Sequence, residues 1–227
     1  MTWLATHMIG SKVKAVDGDI GTISDLYFDD ERWAIRYFIC RAGGWTDPRW
    51  KLISPLSIQS VDEEASTVYV NLTQKGVAES PDASLRQPVS RRFEIEYSRY
   101  FQIPIYWAGS GIWGGAMSPA LFAKTALSPE EEESALKADN DESHLRSMSE
   151  IAGYRIKATD GSIGHIEDFV IDKESWAIKH VAVDTRNILP GKVVKIAPAH
   201  IDDISWTESS VYIHMTKDEI KESPELN

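Results

Sequence analysis

Residues 13 to 35 read VKAVDGDIGTISDLYFDDERWAI, and residues 156 to 178 read IKATDGSIGHIEDFVIDKESWAI. Asp160 lies 143 positions after Asp17, and Trp176 lies 143 after Trp33. The same offset pairs Gly10 with Gly153, Ile20-Gly21 with Ile163-Gly164, Asp25 with Asp168 and Asp29 with Asp172. Further along it pairs Pro55 with Pro198, Val68-Tyr69 with Val211-Tyr212, and Glu79-Ser80-Pro81 with Glu222-Ser223-Pro224. An ungapped match of this length means two copies of one small domain. It does not mean a solenoid, which needs more repeats at shorter periods.

Each copy reads as mainly β. Asp17-Gly18 and Asp160-Gly161 sit between short apolar runs, a strong hairpin signal because Gly accepts positive φ without steric cost. Gly21 and Gly164, inside the next strand, point to a bulge or a close backbone approach. Strands are expected over 20–29, 33–40, 51–54 and 67–72, with a short helical turn after Asn71 that stops before Ser80-Pro81. Five or six short strands in about 75 residues bury little as a flat sheet, so closure into a small barrel is expected, which removes the exposed edges. Trp33 and Trp176 open the same strand in each copy and are expected at one barrel mouth, packed as core aromatics.

The pattern resembles the PRC-barrel family. The residues that carry the resemblance are Gly10/Gly153, Asp-Gly followed by Ile-Gly, Asp25/Asp168, Asp29/Asp172, the Trp-Ala-Ile strand, Pro55/Pro198, the Val-Tyr strand and the closing Ser-Pro. The resemblance implies two small PRC-type β-barrels, over 1–81 and 151–227, joined by an aromatic-rich, partly helical connector over 82–150. Family members include the cytoplasmic part of the reaction-centre H subunit and the C-terminal half of the ribosome-maturation factor RimM, where the role is binding and assembly. A His-Leu-Arg segment like 144–146 precedes the second barrel in tandem members, and it is expected to dock as an added strand or clamp.

The 227 residues carry a formal net charge of −11, from 35 acidic and 24 basic side chains. That argues against non-specific nucleic-acid binding, which relies on Lys and Arg neutralising phosphates, and against adsorption to an anionic membrane. Cys40 is the one cysteine. It excludes an intrachain disulfide framework and fits a cytoplasmic, reducing setting; a buried, inert thiol is expected. No apolar run reaches the length of a membrane span, and the opening MTWLATHMIGSKVK does not read as a signal peptide.

Candidate partner-binding residues lie in two places. The loop 41–50 carries Trp45, Arg49 and Trp50, residue types enriched at interface hot spots; the alternative is that both tryptophans fold back on their own barrel. The connector carries Arg91, Arg92, Tyr106, Trp107 and Trp113. Phe93, Tyr97, Tyr100 and Phe101 recur at helical spacing, which predicts a short helix with one apolar face, opened near Ser90. So many aromatics are foreign to disordered chain, so this part is expected to pack on a barrel or in the seam between barrels. A mobile aromatic arm that grips a partner is the alternative. Ser128-Pro129-Glu130 predicts a second, solvated helix.

Catalytic signals are weak. The six histidines are scattered, and no pair has metal-ligand spacing. There is no Gly-x-Ser-x-Gly, phosphate-binding Gly loop or Cys-x-x-Cys. Asp25, Asp29, Asp168 and Asp172 are expected to hold turn amides. No catalytic residue, metal or cofactor is therefore assigned. The expectation is a non-enzymatic adaptor for a protein partner, with a homodimer compatible. The alternatives are a ribosome- or RNA-linked assembly factor and a reaction-centre-H-like photosynthetic electron-transfer accessory protein.

Overall fold

The computed structural model describes residues 1–43, 49–83, 89–122, 144–186 and 191–226, together with Glu133. The protein is mainly β, with two seven-stranded sheets. The first contains β2 (Lys12–Ala15), β3 (Gly18–Asp29), β4 (Ala34–Ala42), β5 (Arg49–Ile53), β6 (Ile58–Asp62) and β7 (Thr67–Val70), in the order β5-β4-β3-β2-β7-β6. The second repeats that order with β9 (Arg155–Ala158), β10 (Gly161–Asp172), β11 (Ile178–Asp184), β12 (Val193–Ile196), β13 (Ile201–Ser205) and β14 (Ser210–Ile213). Pairing is antiparallel except β2 with β7 and β9 with β14, which are parallel.

The repeated residues build this frame. A Cβ on Gly21 would lie 2.0 Å from the Arg41 carbonyl oxygen, and one on Gly164 would lie 2.0 Å from that of Asp184. The expected close approach is therefore present in both copies. Asp17 Oδ1 accepts from the Gln74 amide at 2.8 Å, and Asp160 Oδ1 accepts from the Lys217 amide at 2.9 Å. Each hairpin aspartate thus holds the start of the helix that follows its sheet, α1 (Gln74–Glu79) or the equivalent Lys217–Glu222. The core is duplicated as well: Val13, Ile23, Leu26, Phe28, Val68 and Val77 are buried, as are their counterparts Ile156, Ile166, Phe169, Ile171, Val211 and Ile220.

Both sheets are rolled. Six strands laid flat would put the outer two about 24 Å apart at ~4.8 Å spacing. The chain from Ile53 to Ile58 spans about 18 Å at full extension, and it contains a 3-10 turn over Pro55–Ser57. β5 and β6 must therefore curl toward each other, and so must β12 and β13. Hydrogen bonding nevertheless follows an open path among the described residues, where the sequence led to a closed barrel. The outer edge of β5 is already taken by Asp82 and Ala83, whose amide reaches the Trp50 carbonyl. The outer edge of β12 is taken likewise by Pro224 to Leu226.

The chain divides into two compact units. The first-repeat unit holds His7–Arg146 and Glu174–Ala177; the second-repeat unit holds Met1–Thr6, Ser147–Lys173 and Ile178–Asn227. In the first-repeat unit the connector supplies α2 (Arg91–Phe101) and α3 (Pro119–Phe122). Ser90 caps α2 by accepting from the Phe93 amide, as its position before the helix suggested. The buried face differs from the expected one: Glu94, Ile95, Tyr97 and Ser98 are buried, while Tyr100 is exposed. The helix predicted after Ser128 lies outside the described residues apart from Glu133. The segment before β9 docks as an added strand, β8 (Leu145–Ser147), on β3.

Trp33 and Trp176 fall just before β4 and β11 and do not open them; their φ values are +50° and +58°. Trp33 tilts against Phe28 at 5.4 Å between ring centroids. Trp176 belongs to the first-repeat unit and meets Phe38 edge-on at 5.1 Å. Cys40 is fully buried, and burial pushes its thiol up to about 12.

Candidate functional site: a buried charge and aromatic cluster under the connector

The cluster begins with a β-bulge. Tyr27 faces Tyr37 and Phe28 faces Ile35, so Arg36 is the extra residue on β4. A bulge re-aims the side chain it carries, and Arg36 turns to the side where Tyr37 meets the connector. Its guanidinium carbon lies 4.0 Å from the centre of the Tyr106 ring and 4.7 Å from that of Trp113. Arg36 Nη2 donates to Asp29 Oδ2 at 3.2 Å, and both side chains are buried. Its Nε and Nη1 have no hydrogen-bond partner among the described residues. Two aromatic faces replace those bonds with cation–π attraction, worth about 2 kcal/mol when desolvated.

Asp29 also accepts from the amides of Glu31 and Arg32 through Oδ1, at 3.0 and 3.1 Å. The turn role expected of this aspartate is therefore present, with an ion pair added. Arg32 then reaches the connector backbone. It donates to the carbonyls of Tyr106 at 2.8 Å, Trp107 at 3.1 Å and Gly109 at 2.9 Å. One guanidinium fork thus fixes the turn that carries the aromatics. Trp113 Nε1 donates to the Ser175 carbonyl at 2.7 Å.

From α2, Glu94 accepts from the Tyr106 hydroxyl at 2.8 Å and from Arg91 Nη1 at 3.2 Å, and it shares a hydrogen bond with Tyr37. Burial pushes the Glu94 carboxyl up to about 7, against the pull of Arg91 and the Tyr106 hydrogen bond. The same burial raises Tyr106 and Tyr37 well above the usual phenol range. Arg91 stacks over Trp107 at 4.2 Å. The Tyr97 hydroxyl accepts from the Ser54 amide at 3.0 Å, and its ring meets Tyr37 edge-on. Chemically the cluster is a set of two acids and three guanidinium groups laced by aromatics, with positive charge in excess. It can hold the connector down and exchange a proton at Glu94.

The candidate binding residues fall into three groups. Arg91, Tyr106, Trp107 and Trp113 come together in this cluster, and Tyr106 and Trp113 are buried within it. Arg92 is exposed and faces Glu96 one turn away at 3.6 Å. Arg49 is exposed on β5 and Trp50 is half-buried beside it; Trp45 lies outside the described residues. Sequence reasoning did not single out Arg32, Arg36, Tyr37 and Glu94. A readable signal existed for one of them: Arg36 interrupts the otherwise uncharged run from Ala34 to Cys40.

A second cluster lies on the second sheet, where His165, Glu167 and Asp184 bring ligand atoms within 4.8 Å of one another. Arg186 occupies Asp184, with Nε 2.8 Å and Nη2 2.6 Å from Oδ2. That pairing holds the Asp184 carboxyl below its usual range and competes directly with any cation.

The same strand face differs between the two copies. Lys179 and His180 stand where Arg36 and Tyr37 stand in the first, on an equivalent bulge between Val170 and Ile171. Lys179 is exposed and His180 half-exposed. Burial and then the charges of Lys195 and Lys179 lower the His180 pKa. No family model matches the chain, and no curated protein matches it.

Proposed function

We propose that this protein is a non-enzymatic assembly adaptor, built on two PRC-type barrels and working in a reducing, cytoplasmic setting. The rolled sheets and their duplicated glycine and aspartate ties support the PRC-barrel reading. One observation carries the adaptor reading. On one copy of the scaffold, the bulged face of the third and fourth strands is filled by the chain's own helix, through Arg36, Tyr37, Glu94 and Tyr106. On the other copy the equivalent face presents Lys179 and His180 to solvent. A scaffold that covers a face in one copy and offers it in the other suits a partner with a helix of acidic and aromatic character.

The test is affinity capture at low and high salt with the parent chain, a Lys179→Glu/Lys195→Glu variant and a Trp50→Ala variant. The adaptor reading expects a defined set of proteins retained by the parent and lost by the charge-reversed variant. Equal retention by parent and charge-reversed variant would remove Lys179 and His180 as the site. Retention of ribosomal material that disappears at high salt would favour an RNA-linked assembly role.

A further inference from the structure

The long strands β3 and β10 are each served on one edge by two different strands. β9 pairs with β10 only from Gly161 to His165. The same edge further along, Val170 to Asp172, is covered by β1 (Thr2–Leu4), with Thr2 opposite Asp172, Trp3 opposite Ile171 and Leu4 opposite Val170. β8 likewise pairs with β3. The two leader strands are positional equivalents, since Leu145 lies 143 residues after Thr2. The bonds beside them are equivalent too: the Asp30 amide donates to the His144 carbonyl, and the Lys173 amide donates to the Met1 carbonyl, both at 3.1 Å. Each repeat's leader strand therefore completes the long strand of the other repeat.

Left empty, the Val170–Asp172 edge would present unpaired backbone groups beside buried apolar side chains, the template on which a strand from another chain pairs. The leader is held by a short ladder, the burial of Trp3 and Ala5, and Thr6, which donates to Asp168 through its amide and its hydroxyl. Nothing in this set of contacts depends on the leader and the slot belonging to one chain. Exchange of an identical element is a low-cost route to a dimer, and strand addition to a sheet edge is a recurring binding mode.

The geometry points to β1 and the Val170–Asp172 edge of β10 as an interaction surface whose partner is a second copy of this chain: two chains exchange leader strands and form a swapped dimer. Within one chain the leader competes at a high effective concentration, so the swapped form grows with protein concentration during folding. The proposal is independent of the adaptor reading.

Cysteine pairs test it on the full-length protein. Thr2 and Asp172 face each other on the ladder, Thr2 exposed and Asp172 half-buried, whereas native Cys40 is fully buried. A double variant, Thr2→Cys/Asp172→Cys, should oxidise to an internally crosslinked monomer after refolding from urea at low protein concentration. A mixture of the two single variants can crosslink only between chains. Refolded together, it should give a disulfide-linked dimer whose fraction rises with concentration, read on a non-reducing gel and by light scattering. A mixture that stays uncrosslinked at every concentration, while the double variant closes within the chain, would overturn the exchange. Failure of the double variant to close at all would overturn the slot itself.

Discussion

At the scale of single residues, the duplicated glycine and one buried glutamate carry sharp consequences. Gly21 and Gly164 each lie against a carbonyl of the neighbouring strand. Alanine at Gly21 would force backbone apart within a ladder, and at Gly164, with φ at +64°, it would add conformational strain. Each substitution should destabilise by more than about 3 kcal/mol, at the high end for single changes, read as a lower urea midpoint. The glutamate is Glu94. Its folded pKa of about 7 exceeds the ordinary value of 4.5. The native state therefore binds the proton more tightly, and stability from this group falls as pH rises from about 4.5 to about 7 and stays lost above that. The shift corresponds to a loss on the order of 3 kcal/mol. Burial causes the rise, the charge of Asp29 adds to it, and Arg91 with the hydrogen bonds from Tyr106 and Tyr37 pulls against it. Glu94→Gln should gain stability relative to the parent between pH 5 and pH 8 in urea unfolding. A difference that does not change with pH would show that Glu94 does not titrate in that window.

At the scale of elements, the connector turn hangs on Arg32. Its planar fork spans the carbonyls of Tyr106, Trp107 and Gly109 in a way that a lysine ammonium does not. Arg32→Ala should loosen residues 104–116, giving faster proteolysis there and a red shift in tryptophan emission, and Arg32→Lys should rescue only part of the effect. The hairpin aspartates provide a paired experiment. Asp17→Ala and Asp160→Ala each remove one acceptor from an exposed helix start. Losses of about 1 kcal/mol are expected for each, and the two should add in the double variant because the sites share no partner. A strong departure from additivity in thermal unfolding would mean that the two helix starts are coupled.

At the scale of the whole molecule, the described connector residues 89–122 are part of the first-repeat unit. Removing residues 89–116 would take away Tyr106, Trp113 and Glu94 and leave Arg36 and Tyr37 uncovered. The expected result is loss of soluble monomer by light scattering, whereas a soluble, equally stable deletion would mean that the connector contributes little to the fold. The sequence alone determined the duplication, the places of the main strands in each copy and the skeletal glycines and aspartates. Those follow from local rules of turn chemistry and alternation, which act over a few residues and are written twice. Tertiary structure alone decided the rest. A one-residue bulge turned Arg36 toward the connector, a signal that alternation cannot carry. The face of α2 that is buried was set by partners about 60 residues away, so Glu94 went inside and Tyr100 outside. The leader strands Thr2–Leu4 and Leu145–Ser147 share a place in the fold without sharing a sequence. A short strand that fills an edge is specified mainly by backbone hydrogen bonds, which every residue but proline can supply.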